Sequence, residues 1–211
     1  MPRALVLFSG TDSVGRYLRE KGWETVTLDW NKRMKADICA DIHEWDHTVF
    51  PPGHFDFVQA SPDCTEYSSC MTCRPRDLEK ADKLVVRMWE ILQYYRCPFW
   101  VENPAGNSCN LDRRPFMEPW NAFRTEVAYC NFGMPYRKRT SCWVARPLSE
   151  SREGGWQKVE FESRGKCPHK RHEKTAQHNE REKKNSQKEF FVIPKELIAE
   201  IVNKAVLASA A

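Results

Sequence analysis

A cysteine and a glutamate occupy matching places in this sequence, each just past a short apolar run. Cys64 follows Phe55-Asp56-Phe57-Val58-Gln59-Ala60 across a Ser61-Pro62-Asp63 break. Glu102 follows Pro98-Phe99-Trp100-Val101 and precedes Asn103-Pro104. Such runs read as buried strands, and proline ends their ladders. A thiol at a strand tip can attack an electrophile, and a carboxylate at a neighbouring tip can exchange a proton with the same substrate. A third group, Cys167-Pro168-His169-Lys170-Arg171-His172, packs three donors of the zinc type, Cys167, His169 and His172, into six residues. Cys142, or the pair Cys70 and Cys73, would complete a tetrahedral set and clip a polar segment together. Cys70 and Cys73 also fit a pair of redox-sensitive thiols.

These side chains need a scaffold, and the pattern supplies one. Ala4 to Phe8 is a continuous apolar run that breaks at Ser9-Gly10-Thr11. Val14, Tyr17 and Leu18 then form one helical stripe ending near Gly22. Glu24 to Leu28 alternates and ends at Asp29-Trp30, and Ile38 to Asp41 suggests a short third strand. Residues 77–95 carry Leu84, Met88, Ile91, Leu92 and Tyr95 at helical spacing. Glu126 to Cys130 and Cys142 to Ala145 predict two later strands, and Leu197, Ile198, Ile201, Val202 and Ala205 one face of a closing helix after Pro194. The alternation of strand and helix predicts an α/β fold, a doubly wound, mostly parallel sheet with a small polar insert. Residues 1–145 and 190–211 would form one catalytic unit and 146–189 the insert.

Length and composition narrow the function. A chain of 211 residues suits one domain with a small appendage. No run approaches the ~18 apolar residues of a membrane span, and the N-terminal apolar stretch is broken too early for a signal peptide. Nine cysteines without a secretion signal predict an intracellular, soluble protein with free thiols or metal ligands. The net charge of +4 lies wholly in residues 146–189, with twelve Lys/Arg against eight Asp/Glu. Such a segment can face phosphate.

At the strand tips, Phe8-Ser9-Gly10-Thr11 allows close backbone approach to a ligand, Asp29 can accept ribose hydroxyls, and Trp30 can stack on a purine. Asp41 can contact an adenine amino group or cap the residues that follow it. Together these segments resemble the DNA cytosine-5 methyltransferase family. Phe8, Ser9, Gly10 and Thr11 resemble its first cofactor motif, and Asp29-Trp30 its acidic-aromatic pair for the adenosine of S-adenosylmethionine. Asp41 falls at its adenine contact, and Ser61-Pro62-Asp63-Cys64 resembles its nucleophile loop. Glu102-Asn103-Pro104 resembles its Glu-Asn motif, and Phe132 to Thr140 its basic motif. The order holds over residues 4–145 and 190–206. Cys64-Thr65-Glu66-Tyr67-Ser68 and Tyr136-Arg137-Lys138-Arg139-Thr140 are most similar to compact members from phages and large viruses.

The resemblance implies a Rossmann-like fold, S-adenosylmethionine as cofactor, and methylation of C5 of cytosine in DNA. Cys64 would add to C6 of a flipped-out cytosine while Glu102 supplies a proton or hydrogen bond at N3. Lys138 and Arg139 would hold phosphate or the base, assisted by Arg137. Ser61 and Pro62 would line the cofactor side of the loop. One branch of the family acts on transfer RNA, and a catalytically weak module that binds nucleic acid is a further alternative. The chain departs from the family pattern at four places. Asp12 stands where glycine is usual, Asp63 where the second proline is, Tyr136 where glutamine is, and Lys138 where arginine is. A carboxylate next to the nucleophile would raise the thiol pKa unless it points away.

Overall fold

The computed structural model describes residues 1–68, 71–106, 109–149, 154–165, 167 and 191–206. Five parallel strands come first: β1 (Arg3–Leu7), β2 (Glu24–Asp29), β3 (Ile38–Cys39), β4 (Phe57–Ala60) and β5 (Phe99–Pro104). Three follow that run antiparallel to their neighbours: β6 (Arg124–Ala128), β7 (Arg139–Pro147) and β8 (Trp156–Lys158). The sheet order is β3-β2-β1-β4-β5-β7-β6, with β8 also pairing to β7. The later strands foreseen around Gly133-Met134-Pro135 therefore form a hairpin, and residues 156–158 extend the sheet beside it.

The central strands are largely apolar because both faces are covered. Leu5, Leu7, Val58, Phe99, Val101 and Trp143 face the helix α2 (Leu78–Tyr95). Ala4, Val6, Phe57, Trp100 and Val144 face the opposite way, under α1 (Ser13–Glu20) and α3 (Lys195–Ala205). Alternate residues of one strand thus serve two cores. Asp77 caps α2 by accepting from the Lys80 N–H, and Arg96 ends it in a left-handed turn. Val159 and Phe161 are buried in the α1/α3 core, so the segment after β8 is anchored too. No helix among the described residues is long and apolar enough to cross a membrane.

The start of α1 explains one departure from the family pattern. Asp12 adopts a left-handed conformation, φ 56°, which aspartate tolerates better than most residues. Its carboxylate turns along the helix to Arg19, 2.7 Å away. The price in space falls on position 15, where a Cβ would lie 2.0 Å from Asp12 Oδ1 and 3.2 Å from the Thr27 methyl. Gly15→Ala is expected to lower the unfolding free energy by about 1–3 kcal/mol through overpacking. In an Asp12→Gly background the same change is expected to be neutral or stabilising, because alanine is the better helix former by up to ~1 kcal/mol. Urea unfolding of the four chains measures the coupling, and additive effects would contradict this account.

Candidate active site

The chain runs outward from β1 to β2 and β3, then returns to place β4 on the other side of β1. Open α/β sheets bind ligands in the crevice at such a reversal, beyond the carboxyl ends of the strands. Leu7 pairs with Ala60, and Ala60 with Val101, so the tips of β1, β4 and β5 stand in line. The turn after Leu7, the loop carrying Cys64, and Glu102 therefore share one edge. β7 runs the other way and brings its first residues to that edge, with Thr140 opposite Pro104.

The β1/β2 side is a preformed cradle. Asp29 is buried, and its two oxygens accept from the Gly10 N–H at 2.9 Å and the Asn31 N–H at 2.8 Å. It thereby ties the turn after β1 to the tip of β2. Ser9 N–H donates to the Leu28 carbonyl at 3.0 Å, and Phe8 and Gly10 both have positive φ. A non-glycine residue held at φ 56° costs on the order of 1–2 kcal/mol and marks a turn imposed by its surroundings. Trp30 is 69% exposed at the end of β2, an uncovered aromatic face beside that turn. Asp41 accepts from the His43 N–H at 2.9 Å and caps a short turn. On the β4 side Ser61 accepts from the Gln59 amide at 2.8 Å, and Pro62 is buried.

Cys64, Glu102 and Lys138 come together across the crevice. The partly buried Cys64 thiol is pushed up to about 11, first by burial, with Glu102 and Asp63 also raising it and Lys138 opposing them. All three charges thus act on one sulfur. Glu102 is buried, and Oε2 accepts from the Tyr129 hydroxyl at 3.3 Å. The Lys138 ammonium lies 4.9 Å from the centre of the same Tyr129 ring. Tyr129 is therefore a shared wall between the carboxylate and the ammonium. Asn103 Nδ2 donates to the Pro62 carbonyl at 3.0 Å, so the strand that carries Glu102 also holds the loop that carries Cys64.

Asp63 is exposed and accepts from both the Thr65 N–H, at 2.9 Å, and the Thr65 hydroxyl, at 2.6 Å. It closes a local turn beside the thiol, yet its charge still raises the Cys64 pKa. Arg139 takes a different direction from Lys138, as adjacent residues entering a strand do. Its Nε meets Glu126 Oε1 at 2.6 Å, and its guanidinium packs on Gly106, where a Cβ would lie 2.6 Å away. Arg137 is exposed, and Tyr136 is buried in the α1/α3 core. Sequence reasoning passed over Tyr129 and the bond from Asn103. The Glu-Asn pair was a signal for the second, whereas nothing in the sequence marked the first.

Lys138→Gln is expected to slow alkylation of Cys64 by iodoacetamide at pH 8.5 by about threefold to tenfold, since loss of an opposing positive charge disfavours the thiolate. Mass spectrometry of the Cys64 peptide measures it. An unchanged rate would remove Lys138 from the site.

The proposed metal cluster is placed only in part. His169, His172 and Cys70 lie outside the described residues. Cys167 interacts with the Cys130 thiol, Cys142 is buried in the sheet core, and Cys73 is exposed. Among the described residues no three histidine, cysteine or carboxylate side chains converge as a metal site.

Neither the protein-family models nor the curated proteins match this chain. Solved structures do. The Dnmt2 methyltransferase of S. pombe superposes with a TM-score of 0.51 and 16% identity, covering 69% of this chain and 51% of that one. The Entamoeba histolytica methyltransferase EhMeth superposes with a TM-score of 0.51 and 16% identity, covering 69% and 53%. The chain has a methyltransferase fold. It spans about half the length of these two structures. At such identity the shared property is the fold, the mixed eight-stranded sheet flanked by helices. In a methyltransferase fold of this order the switch between β1 and β4 separates the Gly10 cradle from the Cys64 loop.

Proposed function

We propose that this chain transfers a methyl group from S-adenosylmethionine to C5 of cytosine in DNA. The convergence of Cys64, Glu102 and Lys138 beside the β1/β4 crevice carries this reading. The cradle fits the cofactor: Phe8 to Thr11 supply a close-approaching backbone, Asp29 a buried carboxylate, and Trp30 an open aromatic face. Asp41, Ser61 and Pro62 border the same edge. When bound, S-adenosylmethionine supplies an electrophilic methyl group.

The chain's own residues prepare the base. Cys64 adds to C6, which makes C5 nucleophilic enough to take the methyl group. The C5 proton is then lost to a base and the Cys64 sulfur leaves C6, restoring the ring and the free thiol. Glu102, faced by the Tyr129 hydroxyl, holds N3 through a proton or hydrogen bond. Lys138 offsets negative charge at the thiol and the base. The cytosine must leave the stack to reach a partly buried sulfur. Arg137 and Arg139 are exposed cations for the phosphates around it. Glu126 competes for Arg139, so Glu126→Gln is expected to tighten DNA binding about twofold to fivefold, lost at high salt. Fluorescence anisotropy at two salt concentrations checks this.

The reading is tested by incubation with tritiated S-adenosylmethionine and DNA, followed by nucleoside analysis. Label in 5-methylcytosine is the expected result, and its absence from a chain that binds the cofactor would overturn the proposal. Competition between DNA and RNA assigns the substrate. The high thiol pKa favours one alternative, a module that binds nucleic acid with little turnover. It would form no adduct with DNA containing 5-fluorocytosine.

A further inference from the structure

The loop bearing Cys64 is fastened on its far side by a partly buried polar chain. Tyr67 is fully buried, and its backbone N–H donates to the Cys64 carbonyl at 3.0 Å, closing a tight turn around the thiol-bearing residue. Its hydroxyl donates to Asp82 Oδ1 on α2 at 2.9 Å. Arg114, which follows a short turn over Leu111–Arg113, grips the same carboxylate. Its Nε lies 3.0 Å from both oxygens and its Nη2 2.6 Å from Oδ2. Asn110 Nδ2 donates to the Tyr67 carbonyl at 3.0 Å. Two elements, α2 through Asp82 and the turn bounded by Asn110 and Arg114, thus meet at one residue of the nucleophile loop.

Packing alone does not call for this arrangement. A phenylalanine ring fills the same space, and neither Asp82 nor Arg114 contributes to the apolar core. The hydroxyl gives direction: it fixes where the ring stands, and the turn from Tyr67 to Cys64 passes that position to the sulfur. The near side is held by Asn103 at the Pro62 carbonyl. Residues 63–66 span the gap between the two fastenings.

We propose that Tyr67, Asp82 and Arg114 are positioning residues that hold the Cys64 thiol at the β4 tip against Glu102 and Lys138. This rests on Cys64 being the nucleophile of the proposed reaction. The clamp acts through the loop and touches neither base nor cofactor. Releasing it leaves the cofactor cradle intact and lets the thiol swing outward.

The test uses the full chain with Tyr67→Phe and Asp82→Asn. Four quantities are read: kcat and KM with DNA, cofactor affinity by calorimetry, adduct formation with 5-fluorocytosine DNA, and iodoacetamide labelling of Cys64 at pH 8.5. Each variant is expected to lose about tenfold or more in kcat and in adduct rate, as misplacement of a reacting group does. KM and cofactor affinity stay within twofold, and Cys64 labels several-fold faster. The double variant is expected to be no worse than the weaker single one, because both break one chain of contacts. Labelling and kcat within twofold of the parent would overturn the clamp, and so would an equal fall in cofactor affinity. Arg114→Lys carries the same readouts if Tyr67→Phe does not fold. Should the parent transfer no methyl group and form no adduct, the proposed reaction fails, while the labelling comparison still decides the clamp.

Discussion

Cys64→Ser is expected to abolish the covalent complex with 5-fluorocytosine DNA and to reduce methyl transfer by about 10⁴-fold or more. A serine hydroxyl fits the same space, so folding and cofactor binding should survive. The comparison therefore isolates the sulfur. The thiol itself begins from an unfavourable state. With its pKa pushed up to about 11 by burial, only about one molecule in a thousand carries a thiolate at pH 8. Alkylation of Cys64 in the folded protein is expected to rise about tenfold per pH unit from 8 to 10, whereas a thiol in unfolded chain levels off near 9. The sign follows from the direction of the shift. The folded state keeps a proton that the unfolded state gives up above pH 9. This thiol therefore favours folding less as pH rises through 9 to 11. A labelling curve that levels off by pH 9 would show the thiol free of its surroundings. Turnover at neutral pH then requires that the thiol give up its proton as the sulfur adds to C6, while N3 of the base takes up a proton or hydrogen bond from Glu102.

Glu102→Gln is the second large effect, with an expected loss of about 10²–10⁴ in methyl transfer, the usual worth of a positioned proton donor. Glutamine keeps the size and can still receive the Tyr129 hydroxyl, so stability should change little. It cannot deliver a proton to N3. It also removes one of the charges that raise the Cys64 pKa, so Cys64 should label faster with iodoacetamide while reacting more slowly with 5-fluorocytosine DNA. This opposition separates a proton donor at the base from a residue that merely activates the thiol. If both rates rise together, Glu102 has no role in activating the ring.

Much of the scaffold was legible because apolar runs of this length, bounded by Gly, Pro and Asp, have few other outcomes. Leu84, Met88, Ile91 and Leu92 marked α2, and Leu197 to Ala205 marked α3, since a face that must be buried repeats at helical spacing. Strand direction was not legible. Nothing within Glu126 to Ala145 shows whether β7 runs with β5 or against it, because an apolar strand covered on both faces has the same pattern either way. The directions of the Asp12 and Asp63 carboxylates were likewise beyond the sequence. Each carboxylate finds a local partner, Arg19 for one and Thr65 for the other, and side-chain direction at a turn depends on neighbours brought there by the fold.

The sequence by itself determined which groups are available: a thiol after β4, a carboxylate after β5, an acidic-aromatic pair after β2, and a basic stretch before β7. It also determined that they lie at element ends, since loops interrupt apolar runs where polar residues cluster. The tertiary structure alone decided which of them meet. The antiparallel return of β7 carries Lys138 to the edge where Cys64 and Glu102 stand, while strand alternation sends Arg139 to Glu126. Tyr129 and the Tyr67 clamp enter for the same reason. Their partners are far away in sequence, and only the closing of the sheet and helices brings buried polar groups within hydrogen-bonding distance of one another.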